Sequence, residues 1–519
     1  MWHLAPWRQR RSNLPKCLSA LLGLCLCVSA WGQPQKGDYF GIQVVDDETG
    51  RGVPLVELET VNHLRYVTDS GGWVAFYEPG LMGEEIFFYV GSHGHEFPKD
   101  GFGFAGRRLK AVAGERAVLR IKRLNIAERL YRITGEGIYR DSVLLGEKTP
   151  LAEPLGSGQV AGQDSALAIP YRGKIYWFWG DTCRLKYPLG NFWTSGATSE
   201  LPGQGGLDPG VGVNLHYFTD SEGFSKPMCR LGVKQSPIWI GGVLTVPDDA
   251  GRERLACGYA HMKSLGEVLD HGLAIFNDEK QEFERLATLD LKERWRFPTA
   301  HPIRRREGDG DYFYFGNPFP NVRVKAELKR VTDPASYEAW TCLEGDESAA
   351  KVQRGSDGKL LYGWRKGPRP IDATEERKLI AAGEVKPDEA RYQPVDVDTG
   401  KSIQIHFGTV RWNEYRQRWV MIAVQQGGTS YLGEIWYAEA QDITGPWPRA
   451  KKIVTHTKYT FYNPVQHEFF DQAGGRLIYF EGTYATTFSG NPVATPLYDY
   501  NQVMYRLDLA DPRLEAVRK

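Results

Sequence analysis

The chain has 519 residues, with 64 Lys or Arg against 64 Asp or Glu, so its formal net charge at neutral pH is zero. This balance provides no basic surface for a polyanion, and nucleic acid is therefore not an expected partner. The 58 glycines and the 15 Trp, 26 Tyr and 23 Phe are typical of a soluble, turn-rich protein with many β-strands. Aromatic rings also stack on sugars, so their number alone does not separate core from ligand site.

The N-terminus predicts a secretory signal peptide over residues 1–32. A basic segment, 8–16, precedes an apolar run, 18–30, and a small-x-small cleavage pattern at 30–32. The apolar run is too short for a membrane span and no later stretch approaches the needed length, so we expect a secreted or periplasmic protein without a span. Four cysteines would remain after cleavage, enough for two disulfides, and none has the spacing of a metal site.

Residues 38–125 predict a small antiparallel β-sandwich, because short apolar strands alternate there with turn signals. The phrases VVDDETGRGVPLVEL and YVTDSGGWVAF resemble transthyretin-like or carboxypeptidase-regulatory-like modules. Such modules often precede secreted bacterial enzymes, and the resemblance implies an accessory domain.

A strand, a polar turn and an aromatic strand recur five times over residues 151–512. The copies are ALAIPYRGKIYWFWGDT, SPIWIGGVLTVPDDAGRERLACGYAHM, HPIRRREGDGDYFYFGNPF, FGTVRWNEYRQRWVMIAV and HEFFDQAGGRLIYFEGTY. Repetition of one supersecondary unit is typical of a β-propeller, so we predict an all-β fold with five blades after the small sandwich. The charged stretch 374–390 predicts a helical surface insertion. An irregular sandwich of similar hairpins is the alternative.

The first copy carries the chemistry that points to a function. Its predicted strands, 166–170 and 174–180, are bracketed by Asp164 and Asp181. Two carboxylates around one pocket are the minimal equipment for hydrolysing a glycosidic bond. The competing reading is that Asp181, in a Gly-Asp-Thr turn, only accepts backbone N–H bonds.

Polar residues near the other blade starts extend this hypothesis. Because inner strands of a propeller begin at a common axis, acids and histidines from different blades converge there. Buried charges are costly unless paired or used, which favours a functional pocket. The residues concerned are Gln163, Asp164, His301, His406, His467 and Glu468.

Several phrases resemble known sugar-cleaving families. YAEAQDITGPW and YNPVQHEFFDQAGGRLIYFEG look like the furanosidase superfamily of arabinanases, xylosidases and fructan enzymes. GQDS, WFWGDT, GNPFPNVRVKA, SYEAW and VRWNEYRQRWVM more closely resemble the endo-D-arabinanase family. That resemblance covers about residues 152–511 and implies that Asp164 and Asp181 are the catalytic pair. The superfamily's acids in blades three and four are replaced here by His301 and His406, and its final-blade histidine, which supports an ion or substrate, would be His467.

We therefore predict a secreted glycoside hydrolase acting on a polysaccharide or oligosaccharide, with an arabinofuranoside as the substrate that the resemblance implies. Asp164 would be base or nucleophile, and Asp181 or Glu468 would donate the proton. Burial beside Trp177 and Trp179 would raise the pKa of the acid. Candidate substrate contacts are Gln163, Trp179, His301, Asn317, His406, Glu434, Tyr462, Asn463 and His467.

No cofactor and no metal ligand set are predicted. An axial calcium ion stays open, although no carboxylate-rich calcium loop is present. Two other functions also stay open: a non-catalytic glycan-binding propeller, and a polysaccharide lyase with a His or Tyr base. The oligomeric state is not predicted by the sequence.

Overall fold

A computed structural model describes residues 34–234, 236–345 and 350–518. The predicted signal peptide, residues 1–32, lies outside the described residues. β-Strands predominate over helices in the described chain, which confirms the predicted all-β class. Its few helices are all too short to cross a membrane.

The N-terminal domain contains two four-stranded sheets, ordered β4-β1-β8-β6 and β3-β2-β5-β7. Alternation sets their inner faces: in β5, Ile86, Phe88 and Val90 are buried and the residues between them are more exposed. Buried residues of both sheets form one core. Strands β1 and β8 pair in parallel, so the domain is not wholly antiparallel as predicted. The strands are β1 (Phe40–Asp46), β2 (Glu57–Thr60), β3 (Arg65–Val67), β4 (Trp73–Phe76), β5 (Glu85–Gly91), β6 (His95–Glu96), β7 (Gly106–Lys110) and β8 (Arg116–Arg123).

The rest of the described chain forms five larger sheets that follow one another in sequence and two small ones, of three and two strands. The elements up to residue 289 are β9 (Glu128–Arg132), α1 (Arg140–Leu145), β10 (Val160–Gln163), β11 (Leu167–Tyr171), β12 (Lys174–Trp179), β13 (Thr182–Arg184), β14 (Tyr187–Asn191), β15 (Ser195–Glu200), β16 (His216–Tyr217), β17 (Ile238–Pro247), β18 (Glu253–Ser264), β19 (Glu267–Asn277) and β20 (Glu282–Leu289).

The elements from residue 303 to 396 are β21 (Ile303–Glu307), β22 (Gly310–Phe315), β23 (Val322–Lys325), α2 (Leu328–Val331), β24 (Glu338–Thr341), β25 (Leu343–Glu344), β26 (Lys351–Val352), β27 (Gly363–Arg365), α3 (Ala373–Ala381) and β28 (Val395–Asp396). The last are β29 (Ile405–Asn413), β30 (Arg418–Gln425), β31 (Glu434–Ala440), β32 (Arg449–Thr455), β33 (Thr460–Gln466), β34 (Leu477–Ala485) and β35 (Asn501–Asp508). Short 3₁₀ turns lie at Pro334–Ser336, Pro387–Glu389, Glu468–Phe470, Ala473–Gly475 and Pro512–Val517.

The five sheets are ordered β11-β12-β15-β16, β17-β18-β19-β20, β21-β22-β23-β24-β27, β28-β32-β31-β30-β29 and β33-β34-β35-β9. We call β11, β17, β21, β29 and β33 the inner strands, because residues on or next to all five line the same cavities. Aromatic and branched side chains fill the space between neighbouring sheets; all seven residues of β31, for example, are buried.

Two sequence boundaries change. Strand β9 pairs with β35 and completes the last sheet, so the predicted start of this region at residue 151 leaves out one of its strands. The fifth repeat was placed from His467 onward, whereas the inner strand of that sheet is β33, Thr460–Gln466. His467 therefore follows the end of this strand instead of opening it.

The charged stretch 374–390 contains most of α3 and the 3₁₀ turn Pro387–Glu389, so its predicted helical character is confirmed in part. Asp372 caps α3 by accepting the N–H groups of Thr374 and Glu375. All four cysteines of the described residues are free thiols, so the disulfides that their number would allow are not formed there.

Candidate active site

Two cavities lie one behind the other along the inner strands. The upper cavity, about 210 Å³, is at the N-terminal ends of these strands, and the lower cavity, about 250 Å³, is nearer their C-terminal ends. Residues lining the upper cavity are 165–167, 240–241, 300–301, 407–408 and 463–464. The five segments come from five different sheets, so the tertiary fold brings together residues that are distant in sequence.

Asp164 and Asp181 face each other beside the upper cavity. Gln163 pairs with Thr182 in the β10–β13 ladder, and Leu167 pairs with Phe178 in the β11–β12 ladder. Asp164 and Asp181 therefore lie between the two ladders, on opposite arms of the hairpin. The backbone N–H of Asp181 also donates to the Asp164 carboxylate.

Gly180 makes room for this arrangement. Its N–H donates to the backbone carbonyl of Asp164 at 2.8 Å. A Cβ atom at position 180 would lie 2.1 Å from Oδ1 of Asp164. Only glycine therefore allows the carboxylate to lie against this backbone.

Tyrosine hydroxyls hold the Asp164 carboxylate from the other side. Tyr462 donates to Oδ2 at 3.1 Å, and Tyr500 donates as well. Burial, and then the nearby Asp181 carboxylate, raises the pKa of Asp164 to about 7. The hydrogen bonds favour the anion and lower this pKa, but they do not outweigh burial and like charge. Asp164 is consequently a carboxyl that can hold a proton near neutral pH.

Asp181 has a different environment. The indole Nε1 of Trp239 donates to its Oδ1 at 2.9 Å, which favours the charged form. Burial also raises the pKa of Asp181, but the charge of the facing carboxylate adds to the shift only at Asp164. Two facing acids with unequal pKa values can divide the roles of proton donor and proton acceptor or nucleophile.

Strained backbone surrounds this pair. Ser165, Ala300, Asn463 and Tyr500 all have left-handed φ angles, of 55°, 51°, 50° and 62°. Such conformations cost on the order of 1 kcal/mol or more each and persist where the surrounding structure holds them. The amide of Asn463 donates to Oγ of Ser165 at 2.8 Å, which ties two of these positions together.

The structure brings some predicted site residues together here and leaves others at the rim. Tyr462 contacts Asp164, and Asn463 lines the upper cavity. Asn317 is exposed and accepts the N–H of Gly408, which lines the cavity, at 3.3 Å. His406 precedes the lining residue Phe407 and packs against its ring at 4.3 Å.

His301 lines both cavities. Burial, then the charge of Arg411, lowers its pKa to about 3, so its ring is neutral near neutral pH. A neutral imidazole can exchange hydrogen bonds with a sugar hydroxyl, but it is not a charged partner for the two aspartates.

Three predicted substrate contacts instead belong to the protein interior. Gln163 is buried, and its amide is occupied by Ser195, Thr182 and Tyr217. Trp179 is 1 % exposed in the core, stacked on Trp177, so these two indoles are not the wall beside Asp181 that the sequence predicted. Glu434 lies on β31 and pairs with Lys452 at 3.2 Å. The usual alternation of buried and exposed positions along a strand does not indicate that Glu434 is buried, because every residue of β31 is buried.

His467 and Glu468 lie at the lower cavity, away from the aspartate pair. Both follow the C-terminal end of β33, which is why they reach the opposite end of the inner strands. His467 is buried and bonded to Glu481 at 2.6 Å. Glu468 lies 4.0 Å from Arg411 and most of its side chain is exposed. The prediction that Glu468 could serve as the acid beside Asp164 is therefore wrong.

A second carboxyl with a raised pKa, Asp471, lies next to residues that line the lower cavity. Burial raises the pKa of Asp471 to about 8, and the neighbouring Glu468 adds to the effect. Gln466 donates to Asp471 at 3.3 Å. Sequence reasoning did not single out Asp471. The charged groups that act on it are Glu468 and Arg411, whereas Asp164 faces a second aspartate.

Sequence reasoning also missed Trp239 and Tyr500. Trp239 lies near the start of inner strand β17. The sequence argument about blade starts concerns polar residues, so it does not point to a tryptophan there. Tyr500 ends the loop before β35 and carries no local signal. Among the described residues, no group of three or more His, Cys, Asp or Glu side chains is arranged to hold a metal ion.

Neither a protein-family model nor a curated protein matches the sequence. Solved structures give distant likenesses. An endo-1,5-α-L-arabinanase from Thermotoga petrophila RKU-1 is 12% identical, with 67% of this chain and 72% of that chain covered and a TM-score of 0.33. An α-L-arabinofuranosidase from Fusarium graminearum is 13% identical over 74% and 99%, with a TM-score of 0.34. An exo-β-1,3-galactanase from Phanerochaete chrysosporium is 10% identical over 68% and 64%, also with a TM-score of 0.34. TM-scores this low identify neither a family nor a function.

Proposed function

We propose that this chain is a glycoside hydrolase on a five-bladed β-propeller, acting on a polysaccharide outside the cytoplasm. The facing pair Asp164 and Asp181 carries the proposal, because two carboxyls with unequal pKa values beside one cavity suit acid and base or nucleophile roles. The signal-peptide pattern supports the location. Arabinofuranosides are the first substrates to test, since the sequence resemblance implies them.

The proposed roles reverse the assignment made from the sequence. Asp164 has the higher pKa and holds the proton, so it donates to the leaving glycosidic oxygen as that bond breaks. Asp181, whose charge raises the pKa of Asp164, is the anion in this proposal. It either removes a proton from the attacking water, or attacks the anomeric carbon to form a glycosyl ester that water then hydrolyses with Asp164 as the base. After either course, one water has been consumed and the pair returns to its single-proton state.

Tyr462 and Tyr500 position Asp164 in this proposal. A lyase base would need a tyrosine with a lowered pKa, whereas burial raises the pKa of both hydroxyls well above the usual value. Their hydrogen bonds to Asp164 give them a supporting function instead. The upper cavity supplies the place where the sugar ring would lie.

The experiment is a screen of furanose and pyranose polysaccharides with the full chain, measuring released reducing ends together with ultraviolet absorbance. We expect reducing ends without absorbance from at least one polysaccharide, and a loss of about 10²-fold or more in kcat for Asp181→Asn. An unsaturated, absorbing product would show a lyase. Glycan binding with no product from any polysaccharide would show a binding propeller, and full activity of Asp181→Asn would remove that residue from the mechanism.

A further inference from the structure

A large groove opens beside the aspartate pair, on the second sheet. This side groove, about 550 Å³, lies between β17, β18, the start of β19 and the segment 291–300. Its size is within the range of ligand pockets, roughly 300–1,000 Å³. It is larger than the upper and lower cavities, and none of the roles assigned above accounts for it.

The side groove and the upper cavity are adjacent. Ile240, Gly241 and Ala300 line both of them. A Cβ atom added at Gly241 would meet only the backbone nitrogen of Ala300, at 3.7 Å, so no side chain fills the boundary between the two spaces at this glycine. A ligand lying in the upper cavity can therefore extend into the groove without displacing the backbone.

Trp239 connects the groove to the chemistry. Its indole nitrogen is bonded to Asp181 at 2.9 Å, while the residue also lines the groove. A sugar stacked on this indole would thus lie next to the acid pair. Aromatic faces and sugar rings are a favourable combination, because the apolar C–H face of the sugar covers the ring.

Phe297 provides a second aromatic surface further along the groove. The ring of His271 packs edge-on against it, with centroids 4.9 Å apart. His271 is itself fixed by a 2.9 Å contact between Nε2 and the carbonyl oxygen of Asp290. Phe297 is held in place before any ligand binds, which lowers the entropic cost of binding. Glu267 and Arg294, which also line the groove, provide polar groups for sugar hydroxyls.

We infer that the side groove binds the sugar residues that continue the glycan chain whose glycosidic bond lies at Asp164 and Asp181. The inference rests on the proposed function. The occupant is a segment of the substrate itself, because the groove shares three lining residues with the upper cavity and its Trp239 is bonded to Asp181. The protein should therefore favour long chains over the shortest ones that fill the upper cavity.

The experiment titrates furanose and pyranose oligosaccharides of increasing length onto Asp164→Asn by calorimetry, and repeats the titrations with Phe297→Ala in the same background. We expect affinity to rise with length in at least one series, and Phe297→Ala to lower the affinity of the longest members by roughly tenfold while leaving the shortest unchanged. Phe102→Ala, at an exposed phenylalanine of the N-terminal domain, is the matched control and should change nothing.

A second variant keeps the inference testable if Phe297→Ala does not fold. Gly241→Leu places a side chain at the boundary between the two spaces and should remove the length dependence as well. The inference is overturned if affinity does not rise with length in any series. It is also overturned if affinity rises as steeply with length in Phe297→Ala and in Gly241→Leu as in the Asp164→Asn background alone. The wild-type screen for reducing ends reports separately on hydrolysis: length-dependent binding without product leaves the groove standing and removes the proposed reaction, and hydrolysis without length dependence does the reverse.

Discussion

Each end of the inner strands has nearby a partly buried carboxyl with a raised pKa, but the surroundings of the two carboxyls differ. At the upper cavity, Asp164 faces a second carboxyl, Asp181, and accepts bonds from two tyrosines. At the lower cavity, Asp471 lies near the positive charge of Arg411 and the exposed Glu468. A raised pKa is thus common to both ends, whereas only the upper end pairs two carboxyls across a hairpin. The position of a second carboxyl across the hairpin, and not the raised pKa alone, therefore distinguishes the candidate catalytic acid Asp164 from Asp471.

The largest expected effect comes from disturbing the upper pair without removing a carboxyl. Gly180→Ala introduces a Cβ atom 2.1 Å from Oδ1 of Asp164 and must displace that carboxylate. We expect kcat to fall by about 10-fold or more, since misplacement of a catalytic group by about 1 Å can cost about 10². Steady-state kinetics on the polysaccharide found by the screen would measure this.

Gly363→Ala is the matched control. Its added Cβ atom has no neighbour within 4 Å, so kcat should stay at the wild-type value. If Gly180→Ala is as active as this control, the position of the Asp164 carboxylate does not matter for the reaction, and the comparison between the two ends fails.

The hairpin with its two acids could be predicted from the sequence because its signals are local. The strands, the Arg-Gly turn and the register that opposes Asp164 to Asp181 all follow from about twenty adjacent residues. Trp239 and Tyr500 could not be found in this way, since their contacts with the aspartates exist only when sheets from distant parts of the chain come together. The sequence resemblance implies that Asp164 and Asp181 are the catalytic pair, but it gives no indication of Trp239 or Tyr500.

Glu468 shows the opposite error. The phrase HEFFDQAGG has an apolar start and a polar turn, like the other repeats, and this pattern predicts the beginning of a blade. In the fold it is the connection after β33, with 3₁₀ turns at Glu468–Phe470 and Ala473–Gly475. A shift of one strand boundary by seven residues moves a side chain from one end of the inner strands to the other, because a strand rises about 3.3 Å per residue.

A smaller effect is expected at the lower end, on stability and not on turnover. The folded state raises the pKa of Asp471 to about 8, above the value of about 3.9 in the unfolded chain, so it binds the proton more tightly. The stabilisation is complete below pH 4 and is lost as the pH rises through 8. Asp471→Asn cannot ionise, and its thermal midpoint should fall less between pH 4 and pH 9 than that of the wild type.

Calorimetric melting at several pH values would measure this change, with kcat determined on the same samples. The expected kcat of Asp471→Asn is within about twofold of the wild type, because the residue lies at the lower cavity. A large loss of kcat together with an unchanged pH dependence of melting would indicate that the reaction takes place near Asp471 and not at Asp164 and Asp181.

The most direct test of the central claim is the pH dependence of kcat/KM in the wild type, Tyr462→Phe and Asp471→Asn. We expect activity to fall as the pH rises through about 7, because Asp164 then loses the proton that it donates. Tyr462→Phe removes a hydrogen bond that favours the Asp164 anion, so its alkaline limb should move to higher pH, while the limb of Asp471→Asn stays in place. An alkaline limb that moves in Asp471→Asn and not in Tyr462→Phe would contradict the assignment of the reaction to the upper pair.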